Sequence, residues 1–239
     1  IVPAEGLGIG YGTTAPKGNY GSLRTHGWEV AINYGHMFDN GFSLSATATL
    51  ADAVSTITEY GQATGISGWY NGKTYGEIWG FQVDRLYQNE DFTRDANGNL
   101  IEITTKDGYK AYQQVDPNAP TQGYLNSGSL IFGPGDVKYK DLNGDGVIDK
   151  GTQSIRDAEG NPDHGDLTVI GNTTPRYEYS FRVDMEWHGV DLGIFFQGVG
   201  KRDMWGSSSL TLPGFNSSDG AMAASFANDF WYETSENGQ

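Results

Sequence analysis

The chain has 239 residues, a formal net charge of -15, no cysteine, 35 glycines and 13% aromatic residues. So acidic a chain repels polyanions, which excludes nucleic acid as a partner, and the missing thiols exclude disulfides and thiolate metal sites. No run nears the roughly 18 apolar residues of a membrane helix, a test that membrane β-barrels never meet.

Residues 1–23 are Gly-rich and aperiodic and read as loop. The chain opens on Ile1 with no initiator methionine or signal peptide, and the expectation is a piece excised from a longer protein. The first strand pattern lies between Arg24 and Phe38. Trp28, Val30, Ile32, Tyr34 and His36 alternate there with Glu29, Ala31, Asn33 and Gly35. Side chains alternate across a strand, so the two sets face opposite ways. Asp39-Asn40-Gly41 supplies a hairpin turn. Phe42, Leu44, Ala46, Ala48 and Leu50 then alternate with Ser43, Ser45, Thr47 and Thr49.

Between 55 and 175 lies a long insertion punctuated by turn residues, with strand patterns at Lys73–Leu86, Leu100–Thr104, Asp136–Lys140 and Leu167–Ile170. The expectation is a small β-rich subdomain. Its 17 acidic and nine basic residues again disfavour polyanions. A second hairpin follows from 176 to 198. Tyr177, Tyr179, Phe181, Val183, Met185 and Trp187 oppose Glu178, Ser180, Arg182, Asp184 and Glu186. After His188-Gly189, Val190, Leu192, Ile194 and Phe196 oppose Asp191, Gly193 and Gln197.

An apolar strand face meets either a second sheet, as in a soluble sandwich, or lipid, as in an outer-membrane barrel whose polar face lines a wet lumen. Aromatic residues at both ends of the apolar face and several charges on the polar face suit a barrel. So does the sorting of connections. Both tight turns (39–41 and 188–189) would lie at one rim and every long segment (1–23, 55–175, 199–239) at the other, the pattern of short periplasmic turns and long extracellular loops.

One motif carries coordination chemistry. Asp141-Leu142-Asn143-Gly144-Asp145-Gly146-Val147-Ile148-Asp149 has the spacing of a calcium loop. Ca²⁺ takes six to eight hard oxygen ligands, and the side chains of Asp141, Asn143, Asp145 and Asp149 with the carbonyl of Val147 would supply them, Gly146 allowing the sharp turn. At the twelfth position of the loop, 141–152, Thr152 stands where a bidentate Glu is expected, so Asp157, Asp163 or Asp166 would have to add a carboxylate. The competing reading is an Asx-rich turn whose side chains cap its own backbone. Any ion would be structural.

Trp69, Tyr70, Trp79 and Trp205, with Tyr75, are loop aromatics that could stack on sugar rings or simply pack a loop core. His26, His36, His164 and His188 do not cluster. No carboxylate pair, nucleophile elbow or phosphate loop stands out, and no enzyme is expected.

Five blocks appear in order: Gly21-Ser-Leu-Arg-Thr-His-Gly-Trp-Glu29, Gly72-Lys-Thr-Tyr-Gly-Glu-Ile-Trp-Gly80, Gly135-Asp-Val-Lys-Tyr-Lys-Asp-Leu-Asn-Gly-Asp-Gly146, Asp166-Leu-Thr-Val-Ile-Gly-Asn-Thr-Thr-Pro-Arg-Tyr177, and Val190-Asp-Leu-Gly-Ile-Phe-Phe-Gln-Gly-Val-Gly200. Together they resemble the C-terminal barrel portion of the SusC/RagA family of TonB-linked outer-membrane transporters of Bacteroidetes. The resemblance covers roughly residues 20 to 205. It implies a 22-stranded barrel with a plug, energy from TonB through parts absent here, a SusD-like surface lipoprotein partner, and oligosaccharide or peptide cargo.

The expected fold class is therefore all-β: two barrel hairpins (24–54 and 176–198) with extracellular loops at 1–23, 55–175 and 199–239. The expected function is a share in glycan uptake across the outer membrane. The alternative is a secreted, calcium-stabilised β-sandwich that binds carbohydrate or mediates adhesion.

Overall fold

The computed structural model describes residues 2–3, 17–18, 21–61, 65–153, 163–206 and 224–226. Most of the loops expected at 1–23 and 199–239, and Asp157, lie outside the described residues. The fold is all-β. In chain order the strands are β1 (Val2–Pro3), β2 (Lys17–Gly18), β3 (Gly21–Met37), β4 (Ser43–Tyr60), β5 (Glu77–Phe81), β6 (Val83–Leu86), β7 (Glu102–Thr104), β8 (Lys110–Tyr112), β9 (Val137–Tyr139), β10 (Leu167–Asn172), β11 (Arg176–Trp187) and β12 (Val190–Lys201). Among the described residues the only helices are single 3-10 turns. The chain forms two compact units, Ile1–Ile78 with Ile155–Pro162 and Gly171–Met204, and Trp79–Ser154 with Asp163–Ile170 and Trp205–Gln239.

The first unit is built on a four-stranded antiparallel sheet in the order β12-β11-β4-β3. The two sequence hairpins are thus direct neighbours, joined through β4 and β11. Both strands of the first hairpin run longer than the pattern suggests. β3 begins at Gly21, inside the segment read as loop, and β4 continues to Tyr60, six residues past the expected boundary at 54. β4 keeps its ladder because Thr56, Ile57 and Tyr60 still pair with β3, and because Ile57 also exchanges backbone bonds with the loop beyond it, donating to Lys73 O and accepting from Gly72 N, each at 2.8 Å.

The register fixes the faces. One set of cross-strand rows reads Val30, Leu50, Tyr179, Gly198; then Ile32, Ala48, Phe181, Phe196; then Tyr34, Ala46, Val183, Ile194; then His36, Leu44, Met185, Leu192. The opposite face reads Ala31, Thr49, Ser180, Gln197; then Asn33, Thr47, Arg182, Phe195; then Gly35, Ser45, Asp184, Gly193. Ser43 pairs with both Met37 and Glu186, so the two tight turns lie at the same end of the sheet. At the second of them His188 and Gly189 both take positive φ (48° and 80°), as a two-residue turn matched to strand twist requires.

The second unit holds β6 paired with β9 and β7 paired with β8. Its core is aromatic and aliphatic: Tyr87, Phe92, Val147, Ile148 and Leu167 are buried, and the Tyr87 and Phe92 rings sit 4.9 Å apart. Burial pushes the Tyr87 phenol above its ordinary pKa. Gln122 is buried with both ends satisfied: its amide donates to Val137 O at 2.8 Å and its oxygen accepts from Tyr139 N at 3.2 Å. The strands expected at Leu100–Thr104, Asp136–Lys140 and Leu167–Ile170 correspond to β7, β9 and β10. Gly80 lies inside β5. Ile170 packs so close there that a Cβ on residue 80 would sit 2.5 Å from its Cδ1.

Candidate functional site

The sheet of the first unit presents two faces of opposite character, and among the described residues no second layer covers either. Trp28, Ile32, Phe181 and Ile194 are between 38% and 64% exposed. The buried apolar residues of this unit, Ile57, Ile66, Tyr70 and Ile78, all lie outside the rows just described. Burying a large apolar side chain is worth about 1.5–3 kcal/mol, so a face of a dozen such groups left in water forgoes a large part of any folding free energy. Exposed apolar patches of this extent mark contact with a membrane or a partner.

Its dimensions are specific. From Trp187 to the level of Trp28 the apolar face runs ten residues, about 33 Å along the strands at roughly 3.3 Å per residue. Aromatic rings stand at both ends: Trp28 and Tyr179 at one, Trp187 and Phe38 at the other, with His36 packed edge-on against Phe38 at 4.5 Å. The polar face is laced by hydroxyls and charges. Thr47 donates to Asn33 at 2.8 Å, Thr49 and Ser180 share a 2.6 Å bond, and Arg182 pairs with Asp184 through both nitrogens at 2.7 and 2.9 Å. Near the end opposite the tight turns, a concavity of about 630 Å³ is lined by residues of both registers, Glu29, Ala51 and Glu178 from the polar rows and Trp28 and Asp52, which pair with each other, from the apolar ones. Asp52 is held there by both Nε and Nη2 of Arg176. Phe195 breaks the pattern. It stands on the polar face beside Arg182, because in Phe195-Phe196 the alternation must send one ring each way.

The calcium-type loop closes on itself. Asp141 accepts from Gly144 N at 2.6 Å and Gly146 N at 2.9 Å, Asn143 accepts from Asp145 N at 3.0 Å, Asp145 accepts from Val147 N at 2.8 Å, and Asp149 accepts from Gly151 N at 2.6 Å. Asp166, fully buried, ties the loop from outside: Oδ1 accepts from Leu142 N at 2.7 Å and Asn143 N at 3.4 Å, and Oδ2 accepts from Asp149 N at 2.9 Å. Asp163 meets the twelfth position, accepting from Thr152 N at 3.2 Å and Thr152 Oγ1 at 3.0 Å. Among the described residues no three His, Asp or Glu side chains converge as ligands for one ion. The donor set is oxygen-rich, as a hard cation needs. In this arrangement the candidate oxygens serve backbone amides, each carboxylate keeping further lone pairs beyond those bonds.

The loop aromatics separate by unit. Trp69 and Tyr70 belong to the first, Trp79 and Trp205 to the second. Tyr70 is a core residue at 8% exposure, its hydroxyl donating to Glu77. Trp69 is 41% exposed and stacks on Tyr75, itself 52% exposed, with 5.7 Å between centroids and 15° between planes. Lys73 Nζ lies 5.8 Å from the Trp69 ring centre and 5.2 Å from that of Tyr70, and donates to Ile66 O and Gly68 O. Burial lowers the Lys73 pKa and Glu77 raises it in part. Trp79 is half-buried against His164 at 5.2 Å. Trp205 is exposed, its Cη2 3.7 Å from where a Cβ on Gly80 would lie.

Compared with models of known protein families and with curated proteins, the chain matches none.

Proposed function

We propose that this chain forms part of the wall and external loops of an outer-membrane β-barrel that imports oligosaccharide or peptide cargo, of the SusC/RagA type. A SusD-like lipoprotein would serve as surface partner, and TonB would act through other parts of the protein. The observation that carries the reading is the uncovered apolar face, about as tall as a bilayer's hydrocarbon band and ended by aromatic rings, on a sheet whose other face is hydroxylated and charged. Hydrocarbon satisfies the first face and a wet lumen the second. Two identical environments, whether water on both sides or protein core on both, satisfy only one of them.

Among the described residues nothing pairs with the outer edges of β3 and β12, and a row of unpaired backbone groups cannot stand in lipid. The reading therefore requires further strands on both sides. A structural Ca²⁺ in the 141–152 loop, held by Asp141, Asn143, Asp145, Asp149 and the Val147 carbonyl, belongs to the same proposal. The full-length protein carrying this sequence is expected in the outer-membrane fraction, soluble only in detergent. Recovery as a monodisperse monomer in plain buffer would overturn the reading in favour of the soluble calcium-stabilised sandwich.

A further inference from the structure

Charge is distributed along the sheet of the first unit as unevenly as hydropathy is across it. Residues 21–60 and 171–204 carry five basic side chains, and four of them, Arg24, Arg176, Lys201 and Arg202, stand at the end opposite the tight turns. The fifth, Arg182, is on the polar face and paired with Asp184. The tight-turn end, residues 36–43 and 186–191, has no Lys or Arg and carries Asp39, Glu186 and Asp191. In a chain of net charge -15, so one-sided a placement of cations argues for an anionic neighbour at that end alone. Arg24 continues the β3 row of Trp28, Val30 and Ile32 outward past His26, about 13 Å beyond Trp28 at roughly 3.3 Å per residue. Tyr177 takes a positive φ of 57°, which interrupts the alternation of β11. The Arg176 guanidinium there closes on Asp52, the partner of Trp28, and lies 5.3 Å from the Tyr177 ring centre. Arg202 follows directly on β12, its Nε donating to Thr173 O at 2.9 Å. Two nearby carboxylates are already engaged, Asp52 by Arg176 and Asp203 by Asn172 N at 2.8 Å, and Glu59 stands opposite Ser22, beyond Arg24. Among the described residues no carboxylate pairs with Arg24 or Arg202, and both are exposed.

We infer that this end of the sheet, through Arg24, Arg176 and Arg202, is a contact site for phosphorylated lipid headgroups of the outer leaflet. A guanidinium offers phosphate oxygens a two-pronged donor fork, and its long stem lets the charge reach the headgroup level from a strand whose lower part stands in hydrocarbon. From β3 to β12 is three strand spacings, about 14 Å. The cations thus form a band that faces several headgroups, where a site for one free phosphate ion would gather them around a point. Trp28, Tyr177 and Tyr179 lie just inside this band, the place of aromatic rings at the edge of a hydrocarbon layer. The inference rests on the importer reading, which puts hydrocarbon against the apolar face and this end at the cell exterior, and it adds the lipid chemistry met there.

The test is equilibrium binding of lipid A, and of lipid A stripped of its phosphates, to the full-length protein in detergent micelles. The phosphorylated form should bind about tenfold or more tightly than the stripped one. Arg24→Gln and Arg202→Gln should each weaken that binding about fivefold and the pair about thirtyfold, the size expected for cations at a charged lipid surface. Arg24→Lys should keep most of it, because the charge remains. Arg182→Gln, on the opposite face, should change nothing. Millimolar inorganic phosphate should not displace the lipid. Slow exchange of the Val30 and Leu50 amides in the glutamine variants verifies that the sheet persists. Equal affinity for the two lipids, binding that ignores both substitutions, or displacement by inorganic phosphate would each overturn the inference. A protein that needs detergent yet fails this test loses the headgroup site alone; one that is monodisperse in plain buffer loses the importer reading, and the headgroup site with it.

Discussion

Arginine in place of Phe181 is expected to destabilise the folded protein in lipid by about 2–4 kcal/mol, while arginine in place of Ser180, the next residue, should cost less than about 0.5 kcal/mol. Phe181 lies in the middle row of the apolar face, flanked by Ala48 and Phe196, and Ser180 points the other way beside Thr49 and Gln197. A charge at the centre of a hydrocarbon layer has no solvent and no partner; a charge on the lumen wall has both. Depth distinguishes lipid from a protein core. Val190 ends the same face next to the tight turn, where the cost of arginine should fall to about 0–1 kcal/mol. Urea titration of the protein folded into lipid vesicles measures all three. Equal costs at 181 and 190 would point to a packed core instead.

The second large effect is expected at Asp166. Its carboxylate is fully buried and accepts three backbone N–H groups from the 141–152 loop. Alanine would leave those part-buried donors without that partner, at about 1–3 kcal/mol apiece, so a total near 3–5 kcal/mol is expected. Exchange of the Leu142 and Asp149 amides should accelerate by about a hundredfold or more, each factor of ten corresponding to about 1.4 kcal/mol. Asp166→Asn keeps one acceptor oxygen and should cost about 1–2 kcal/mol. Unchanged exchange in the alanine variant would mean the loop is held some other way. The same amides test the calcium proposal. If an ion is bound, chelator accelerates their exchange in the wild type and Asp145→Ala removes that dependence. If chelator has no effect, the calcium proposal fails and the loop stands on Asp166 and its own Asx bonds.

What could be read in the sequence was periodic. The alternation of Tyr179, Phe181 and Val183 with Ser180, Arg182 and Asp184 assigns faces without coordinates, because a strand has only two. The turns at Asn40-Gly41 and His188-Gly189 follow from residues that accept positive φ. What was hidden depends on contacts distant along the chain. Nothing local says that β4 and β11, separated by more than a hundred residues, share a ladder. Nor does Thr56 announce that β4 continues through it, since a bridge to Thr74 helps hold it there. The loop spacing at 141–149 is legible as a coil of oxygen donors, yet the same oxygens serve an ion or the backbone equally well, and Asp166 sits 17 residues further on. Among the aromatics, Trp69 and Tyr70 look alike in sequence. Only packing separates the ring that is covered from the one that is displayed.

The apolar face is the claim on which everything else depends, and these 239 residues bring no cysteine of their own to a labelling test in which any cysteine elsewhere in the protein is first replaced. Single cysteines at Ile32, Phe181 and Ile194 on one face, and at Thr47, Ser180 and Gln197 on the other, can be introduced into the full-length protein and exposed to a water-soluble maleimide in intact outer membranes. The account predicts labelling at 47, 180 and 197, and protection at 32, 181 and 194 that a lipid-soluble thiol reagent relieves. Maleimide labelling of both sets alike, or protection at 32, 181 and 194 against the lipid-soluble reagent as well, would contradict it.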